Sequence, residues 1–405
     1  MQVGLIADDL TGLTAVASEF ERYGFSVGIA LNAETASALA DSCDIVGIDT
    51  NSRSLPSEDA AKAVRDAARA LAKLEPDWIF KQGDSALHGQ TAVEVTAVLE
   101  ALGNKHILMA PACPSLERFT VGGVHRPVID DPSSYVRVAE LFSEYTSVTV
   151  ADAVNPLPDT SGGPRVTVLD AQDDSALDAA VLSADQSGER LVAGSVGLAK
   201  ALARHLWSGG TRNSHPVLIL LGSFQERSRQ QAAALLVTGT ARQIDLPATI
   251  AADDVRSVAN EVGQALRARQ HVILSASLQK AGTPNGARYP FLDAALRLGI
   301  EQALSETTRA IIDDDRNHLS GVIVAGGATA GIVARDVLDV VALHQVTHLS
   351  DGVAAGLAED SAGRLIPLVT KAGNWGETEI FLRAIHWLQK THLRRNIETR
   401  SELNV

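Results

Sequence analysis

Short apolar runs alternate with alanine-rich helical stretches in the first half of the chain, and this alternation constrains the fold most. The first run ends at Ala7, later runs cover Asp44–Asp49 and Asp77–Lys81, and Ser57–Leu74 between them predicts a long helix. Strands separated by helices need crossover connections, which give a mostly parallel sheet. Runs that are apolar throughout are typical of strands covered by helices on both faces. The pattern therefore predicts an α/β fold.

The same pattern restarts in the second half, with strands predicted at Val217–Leu221 and Leu365–Val369. A chain of 405 residues is too long for one ordinary core, so two domains are expected. The polar, glycine-containing segment Ser208–Ser214 marks the boundary. We predict an N-terminal domain over residues 1–208 and a C-terminal domain over residues 215–405. Each is expected to be a mostly parallel sheet flanked by helices, with a cleft between the two.

Composition excludes several classes of protein. The 35 basic and 49 acidic residues give a net charge of −14, which argues against nucleic acid or an anionic membrane as partner. The two cysteines, Cys43 and Cys113, imply no disulfide framework. No run of about 18 apolar residues appears, and the chain enters its first strand without a signal peptide, so a cytoplasmic location is expected.

Polar loops follow three of the first-half strands. They are Asp8–Gly12, Asp49–Arg53 and Lys81–Gly89. In open α/β sheets ligands bind at the carboxyl ends of strands. Carboxylates accept hydrogen bonds from hydroxyls and arginine grips carboxylates, so this mixture suits a polyhydroxylated acidic small molecule. The competing interpretations are a helix cap for one aspartate, a surface ion pair for Arg53 and a strand-end lysine with a buried stem for Lys81.

Glycine turns follow three of the second-half strands. They are Gly222-Ser223, Gly326–Thr329 and Lys371–Asn374. Glycine lets backbone approach a ligand closely, and the helix that follows presents unpaired N–H groups to anions, which suits the phosphates of a nucleotide. Tight packing turns are the competing interpretation. Neither a P-loop nor a dinucleotide fingerprint occurs.

Other signals are weaker. Residues 111–135 form a proline-rich excursion, expected to be a functional loop with a short hairpin. His344 and His348 have the spacing of a helical metal pair, but the residues between them are strand-like, which argues against metal binding. Cys113 is expected to be an ordinary thiol.

Taken together, the motifs make the chain resemble the four-carbon acid sugar kinase family, long described as a domain of unknown function. The resemblance covers nearly the whole chain, and the order of its motifs makes the set specific. The matching motifs are Ile6–Gly12, Thr50–Arg53, Lys81–Gly89, Pro111–Arg118, Gly194–Ala199, Gly222-Ser223 with Gln231, Gly326–Thr329 and Lys371–Asn374.

The resemblance implies an N-terminal acid-sugar-binding domain and a C-terminal nucleotide-binding domain. It also implies ATP-dependent phosphorylation of a tetronate or 3-oxo-tetronate at its terminal hydroxyl, with Mg²⁺ bridging the ATP phosphates. The implied substrate contacts are Asp8, Asp9, Arg53, Lys81, Asp84 and Ser85. The implied nucleotide contacts are Ser223, Gly326, Gly327, Ala328, Thr329 and Gly373. Asp8, Asp9 or Asp84 would accept the proton of the attacking hydroxyl, and Asp84 is favoured because Lys81 and Ser85 flank it.

This chain departs from the family pattern at several positions. They are Gln82, Ala86 and His88 in the loop after the fourth strand, and Ala328, Ala372 and Trp375 in the nucleotide motifs. Compared with the family pattern, this loop lacks a lysine at Gln82 and an arginine at His88, and the loss of these two charges predicts an altered substrate. A divergent or non-catalytic sugar-acid-binding regulator stays open as an alternative, and an aspartyl phosphatase is a further one. The expected partner is a small sugar acid, with a homodimer left open.

Overall fold

The computed structural model describes residues 1–103, 106–152, 165–223, 225–246, 252–276, 294–314 and 317–402. The chain divides into two compact units, Met1–Leu206 and Trp207–Val405. Residues 208–213, in the segment where we place the domain boundary, are the last turns of a helix that begins at Val196. The predicted domain bounds themselves stay a prediction.

The first unit alternates strands and helices as the sequence predicts. Its elements are β1 (Val3–Ala7), α1 (Leu10–Arg22), β2 (Val27–Ala30), α2 (Ser37–Ala40), β3 (Ile45–Asp49), α3 (Ser57–Ala72), β4 (Trp78–Gln82), α4 (Thr91–Leu102), β5 (His106–Ala110), β6 (Phe119–Val121), β7 (Val124–Arg126), β8 (Val136–Arg137), α5 (Val138–Leu141), β9 (Ser147–Asp152), β10 (Arg165–Asp170), α6 (Asp174–Ser187), β11 (Leu191–Gly194) and α7 (Val196–Asn213).

The main sheet of this unit has the strand order β2-β3-β1-β4-β11-β5-β10-β9 within the described residues. All its described pairings are parallel. Every residue of β1 is buried, as expected for a central strand covered on both faces. Buried aliphatic side chains of α3 and α4 pack against this sheet in one core cluster. The predicted parallel α/β fold is therefore confirmed.

The proline-rich excursion and the two residues after it form a small antiparallel sheet with the order β6-β7-β8. Its first two strands meet in a tight turn at Gly122 and Gly123, which both have positive φ angles, 59° and 71°. The predicted short hairpin is confirmed.

The second unit begins with the buried strand that the sequence predicts. Its elements are β12 (Val217–Leu221), α8 (Glu226–Val237), β13 (Ala241–Leu246), α9 (Ala252–Arg267), β14 (His271–Ala276), α10 (Ala294–Ile312), β15 (Gly321–Ala325), α11 (Gly327–Ile332), β16 (Val340–Ser350), β17 (Val353–Asp360), β18 (Leu365–Lys371) and α12 (Ile380–Glu402). Residues 291–293 of the predicted helix Phe291–Ile312 lie outside the described residues.

Its sheet has the order β13-β14-β12-β15-β18-β17-β16. The pairings from β13 to β18 are parallel, whereas β17 pairs antiparallel with both of its neighbours. His344 and His348 lie on β16, so the predicted strand between them is confirmed, and His344 Nε2 is 2.5 Å from Glu359 Oε2 on β17. This edge hairpin was not predicted from the sequence.

The C-terminal helix also extends beyond its prediction. We expected a helix over Glu377–Gln389 and a frayed tail over Leu393–Val405, but α12 runs to Glu402. In the part of the chain that the structure describes, every helix is too short or too polar to cross a membrane.

Candidate active site

The three polar loops of the first unit emerge from adjacent strands. In the sheet, β1 lies between β3 and β4 and is parallel to both. Parallel strands deliver their carboxyl ends to one edge, so the residues that follow β1, β3 and β4 come together there. The gathering of these loops follows directly from the strand order.

The two aspartates after β1 have different surroundings. Asp9 is the N-cap of α1, and its Oδ1 accepts from Gly12 N at 2.5 Å. Asp8 is buried and does not cap the helix. Its two oxygens accept from Arg53, with Nε at 2.8 Å and Nη2 at 3.1 Å. The capping interpretation therefore holds for Asp9, while Asp8 belongs to an ion pair.

All three guanidinium nitrogens of Arg53 face carboxylates of the protein. Besides its two bonds to Asp8, its Nη1 contacts Asp9 Oδ2, and its Nη2 lies 3.9 Å from Asp84 Oδ2. The hydrogen bond to Asp8, together with the charges of all three aspartates, raises the pKa of Arg53 above its ordinary value. The backbone N–H of Arg53 also donates to the carbonyl of Asp8 at 3.2 Å. Arg53 thus holds three acidic side chains in one cluster.

Asp84 keeps one carboxylate oxygen largely unengaged. Its Oδ1 accepts from Ala86 N at 2.8 Å and lies 3.1 Å from His88 Nδ1. Its Oδ2 accepts no hydrogen bond from any described residue and has Arg53 as its distant charge partner. Of the three aspartates, Asp84 therefore has the oxygen that is freest to meet a ligand.

Lys81 lies beneath this cluster in a buried ion pair. Its Nζ is 2.8 Å from Glu94 Oε2, and both residues are 2% exposed. The other oxygen of Glu94 accepts from Ser52 Oγ at 2.5 Å. Ser52 immediately precedes Arg53, so this carboxylate ties α4 to the loop that carries the guanidinium.

Sequence reasoning missed Glu94. The available signal was its position as the one charged residue in the otherwise apolar and threonine-containing stretch Thr91–Leu99, which the structure shows to be buried throughout. Carboxylates are almost never fully buried unless they are paired, so an acid on such a helix implies a buried cation.

Ser85 is fixed on two sides by the proline-rich excursion. Its Oγ accepts from Arg118 Nη1, and its carbonyl oxygen lies 2.9 Å from His125 Nε2. The other ring nitrogen of His125 is 3.0 Å from Thr120 Oγ1. Burial, opposed by the Ser85 hydrogen bond, lowers the pKa of His125 below its ordinary value. The excursion therefore takes part in the site, as its length suggests.

The three glycine turns of the second unit also lie side by side, because β15 is between β12 and β18. A Cβ on Gly373 would lie 2.6 Å from Ser223 Oγ, and one on Gly326 would lie 3.4 Å from Ser223 N. Gly326 also has a φ of 120°, which side-chain-bearing residues rarely adopt. Thr329 is buried behind the turns, whereas Gly327 and Ala328 are exposed. The glycines keep this surface free of side chains.

Lys371 organises the third turn from below. Its buried Nζ donates to the carbonyls of Ala372 and Gly373, each at 3.0 Å, and to Ser228 Oγ at 3.1 Å. A trans peptide places its C=O and its N–H on opposite sides. Because these two carbonyls point to Lys371, the N–H groups of Gly373 and Asn374 point away from it. Outward N–H groups of this kind favour anions.

A buried glutamine continues the same arrangement. Gln231 Nε2 lies within 3.1 Å of the carbonyl oxygens of Trp375, Gly376 and Glu377. The sequence motif included Gln231, but its contact with this turn was not foreseen.

Comparison with known proteins agrees with the two-unit organisation. Residues 3–135 match a family described as a sugar-binding N-terminal domain, and residues 218–381 match one described as a nucleotide-binding C-terminal domain. The fold and these two matches define the class of the protein, which is that of the sugar-acid kinases. More specifically, the chain belongs to the four-carbon acid sugar kinase family, as its motifs predict.

Several relatives align over nearly their whole length. A D-threonate kinase of Bordetella bronchiseptica is 29% identical, with 94% of this chain and 96% of the relative covered. A D-erythronate kinase of Heliobacterium modesticaldum and a 3-oxo-tetronate kinase of Pectobacterium atrosepticum are each 26% identical, with 95% of this chain and 97% and 98% of the relatives covered.

A solved structure shares the fold. The crystal structure of a domain-of-unknown-function protein from Bordetella bronchiseptica superposes with a TM-score of 0.64 at 27% identity, covering 96% of this chain and 99% of that one. That protein is a domain-swapped dimer with bound citrate.

The buried Lys81–Glu94 pair leads to a stability prediction. Lys81→Met leaves the Glu94 carboxylate buried without its cation, so we expect the free energy of unfolding to fall by about 3–5 kcal/mol. Lys81→Met combined with Glu94→Gln removes both charges and should recover a large part of that loss. Urea denaturation of both variants measures the effect. The surface variant Lys62→Met, which breaks an exposed pair with Asp66, should cost less than about 1 kcal/mol. A double variant that is no more stable than Lys81→Met alone would contradict the conclusion that Glu94 is a buried carboxylate paired with Lys81.

Lys371 leads to a pH prediction. Burial, and secondarily the charge of Arg227, lowers its pKa to about 8 from the ordinary 10.5. Between these values the unfolded chain binds the proton and the folded chain does not, so raising the pH across the window favours the folded state. We expect the unfolding free energy of the wild type, minus that of Lys371→Met, to increase from pH 7.5 to pH 10. Denaturation curves at both pH values test this, and a difference that stays constant or decreases would refute it.

Proposed function

We propose that the protein transfers the γ-phosphoryl group of ATP to the terminal hydroxyl of a small sugar acid, with tetronates and 3-oxo-tetronates as its substrate class. The observation that carries this proposal is the cluster of Asp8, Asp9 and Asp84 around Arg53, in the part of the chain that matches a sugar-binding domain. Carboxylates fixed in this way are good acceptors for the hydroxyl groups of a sugar. The names of the aligned relatives support the same reaction class.

On the substrate side, Asp8, Asp9, Asp84 and Ser85 face the sugar acid, and Arg53 keeps the aspartates in place. Lys81 supports this site from beneath the aspartate cluster, since its ammonium is buried in the ion pair with Glu94. Phosphoryl transfer depends mainly on positioning and on charge stabilisation, so a rigid set of acceptors is the feature that the reaction needs.

Asp84 is the proposed general base. Asp8 is bound through both oxygens to Arg53, and one oxygen of Asp9 is occupied by the helix cap. The unengaged oxygen of Asp84 is better suited to accept the proton of the attacking hydroxyl. The same geometry argues against an aspartyl phosphatase, because a nucleophilic Asp8 would have to leave its ion pair.

On the nucleotide side, Ser223, Gly326, Gly327, Thr329 and Gly373 are the proposed contacts for the ATP phosphates. Closely spaced glycines and the outward N–H groups held by Lys371 fit an anionic group. Ala328 can contribute only its backbone. Mg²⁺ bound to the phosphates would neutralise their charge.

Assembly and location are part of the proposal as well. The Bordetella structure is a domain-swapped dimer, and this supports the proposal that the present chain forms a homodimer. A cytoplasmic location stays a prediction from the sequence.

An ADP-release assay over a panel of short sugar acids tests the function. The panel contains D-threonate, L-threonate, D-erythronate and 3-oxo-tetronate, and mass spectrometry identifies the phosphorylated product. We expect the amount of ADP released to equal the amount of one phosphorylated tetronate formed. Binding of a sugar acid without Mg-ATP binding and without ADP release would instead support the sugar-acid-binding regulator.

Replacement of the proposed base should act on turnover. Asp84→Asn keeps the shape of the side chain but removes its basicity, so we expect kcat to fall by about 10²–10⁴-fold with an unchanged ATP dissociation constant. The control is Asp173→Asn, because Asp173 caps a different helix and asparagine caps equally well. A fall of less than tenfold for Asp84→Asn would reject the assignment.

A further inference from the structure

We propose that Arg118 binds the carboxylate of the sugar acid and so determines the preference for acids over neutral sugars. The inference rests on the proposed function and adds a residue and a substrate orientation to it. Arg118 lies in the proline-rich excursion, just before β6, and contacts the loop that carries Asp84 and Ser85.

Arg53 is poorly suited to this task. Two of its nitrogens are bound to the oxygens of Asp8, and the third contacts Asp9. A ligand carboxylate would have to displace one of these protein carboxylates. It would also enter a cluster in which three negative charges surround one positive charge, and like charges at such distances repel.

The other basic side chains around the loops also have partners within the protein. Lys81 is buried against Glu94, and His88 pairs with Asp84. Arg126, on the neighbouring hairpin strand, packs its guanidinium over the ring of Tyr135 at 5.4 Å.

Arg118 has no carboxylate partner within the described residues, and it is hydrogen-bonded directly to the loop that carries Asp84. Its one described side-chain hydrogen bond goes from Nη1 to the neutral Ser85 Oγ. A guanidinium has five N–H donors, so the fork keeps donors for a planar, two-oxygen acceptor. Its charge also acts locally, since it is among the causes that lower the pKa of His125.

The backbone fixes Arg118 in place. Arg118 and Cys113 exchange N–H and C=O hydrogen bonds of 2.9 and 3.2 Å, closing a tight turn. Glu117 within this turn has a φ of 55°. On the other side, Ser85 is held through its carbonyl by the buried His125. A guanidinium at a fixed position orients a carboxylate at low entropic cost.

This arrangement gives the substrate a direction. The carboxylate of the acid binds at Arg118 and Ser85, where the uncompensated charge is positive. The hydroxyl groups extend toward the aspartates around Arg53, where the excess charge is negative. The far hydroxyl, which is the group to be phosphorylated, is thereby kept away from the arginine and directed to the acceptor side.

The test compares acids with neutral analogues. Dissociation constants for D-threonate and D-erythronate, and for threitol and erythritol, which lack the carboxylate, are measured by calorimetry for the wild type, Arg118→Met and Arg118→Lys. We expect Arg118→Met to weaken tetronate binding roughly 10- to 100-fold, as for the loss of a charge-assisted hydrogen bond, and to leave tetritol and ATP binding unchanged. Arg118→Lys should restore part of the tetronate affinity because it keeps the charge.

Controls make each outcome decisive. Arg137→Met, which removes an exposed arginine of the same small sheet, should change none of these constants. Two results would overturn the inference: Arg118→Met weakens the binding of acids and of alditols equally, or the variant still prefers acids. Neither result would affect the proposed function as long as the wild type phosphorylates a tetronate. A wild type that binds and phosphorylates no tetronate would overturn the proposed function and the inference with it.

Discussion

Three aspartates at one sheet edge require a cation between them, and the pairing of Arg53 with Asp8 meets that requirement. Two carboxylates 4–5 Å apart repel by about 3–4 kcal/mol at an effective dielectric constant of 20. Arg53 can reach them only if its loop is held, and the buried Glu94 holds it through Ser52 while neutralising Lys81. The candidate sugar site thus depends on a chain of contacts that starts inside the domain.

The second unit also has a buried lysine near the end of an inner strand, but the surface above it differs. Lys81 and Lys371 are both buried near the carboxyl ends of inner strands, and each donates to the carbonyl of the residue that follows it, Gln82 and Ala372 respectively. In the first unit, Glu94 balances the lysine, and the surface above it is acidic. In the second unit, backbone carbonyls and Ser228 surround the lysine, and the turn presents N–H groups. Acceptors for hydroxyls and donors for phosphates are what a kinase needs in its two substrate sites.

Much of this could be predicted from the sequence, because uniform apolar runs identify buried parallel strands and their polar ends mark one edge. The strand Val217–Leu221 has the bounds that the sequence predicts. The hairpin of β16 and β17 was missed because β16 is an exposed edge strand without regular alternation. The helical conformation of residues 208–213 was not predicted, since two glycines within a helix resemble a loop in sequence.

Pairings between distant residues were the part that sequence could not supply. Lys81 and Glu94 meet only through the packing of α4 on the sheet, and the different roles of Asp8 and Asp9 depend on where α1 begins. Arg118 belonged to a recognised motif, but its importance emerges only when the partners of Arg53 are known.

Hydrogen–deuterium exchange with each ligand alone tests the central claim, which is that the first unit binds the sugar acid and the second binds the nucleotide. We predict that D-threonate slows exchange in residues 8–12, 50–53 and 83–89, and that Mg-ATP slows exchange in residues 222–223, 326–329 and 371–376. Protection of the first set by Mg-ATP alone, or no protection of either set by its ligand, would contradict the account.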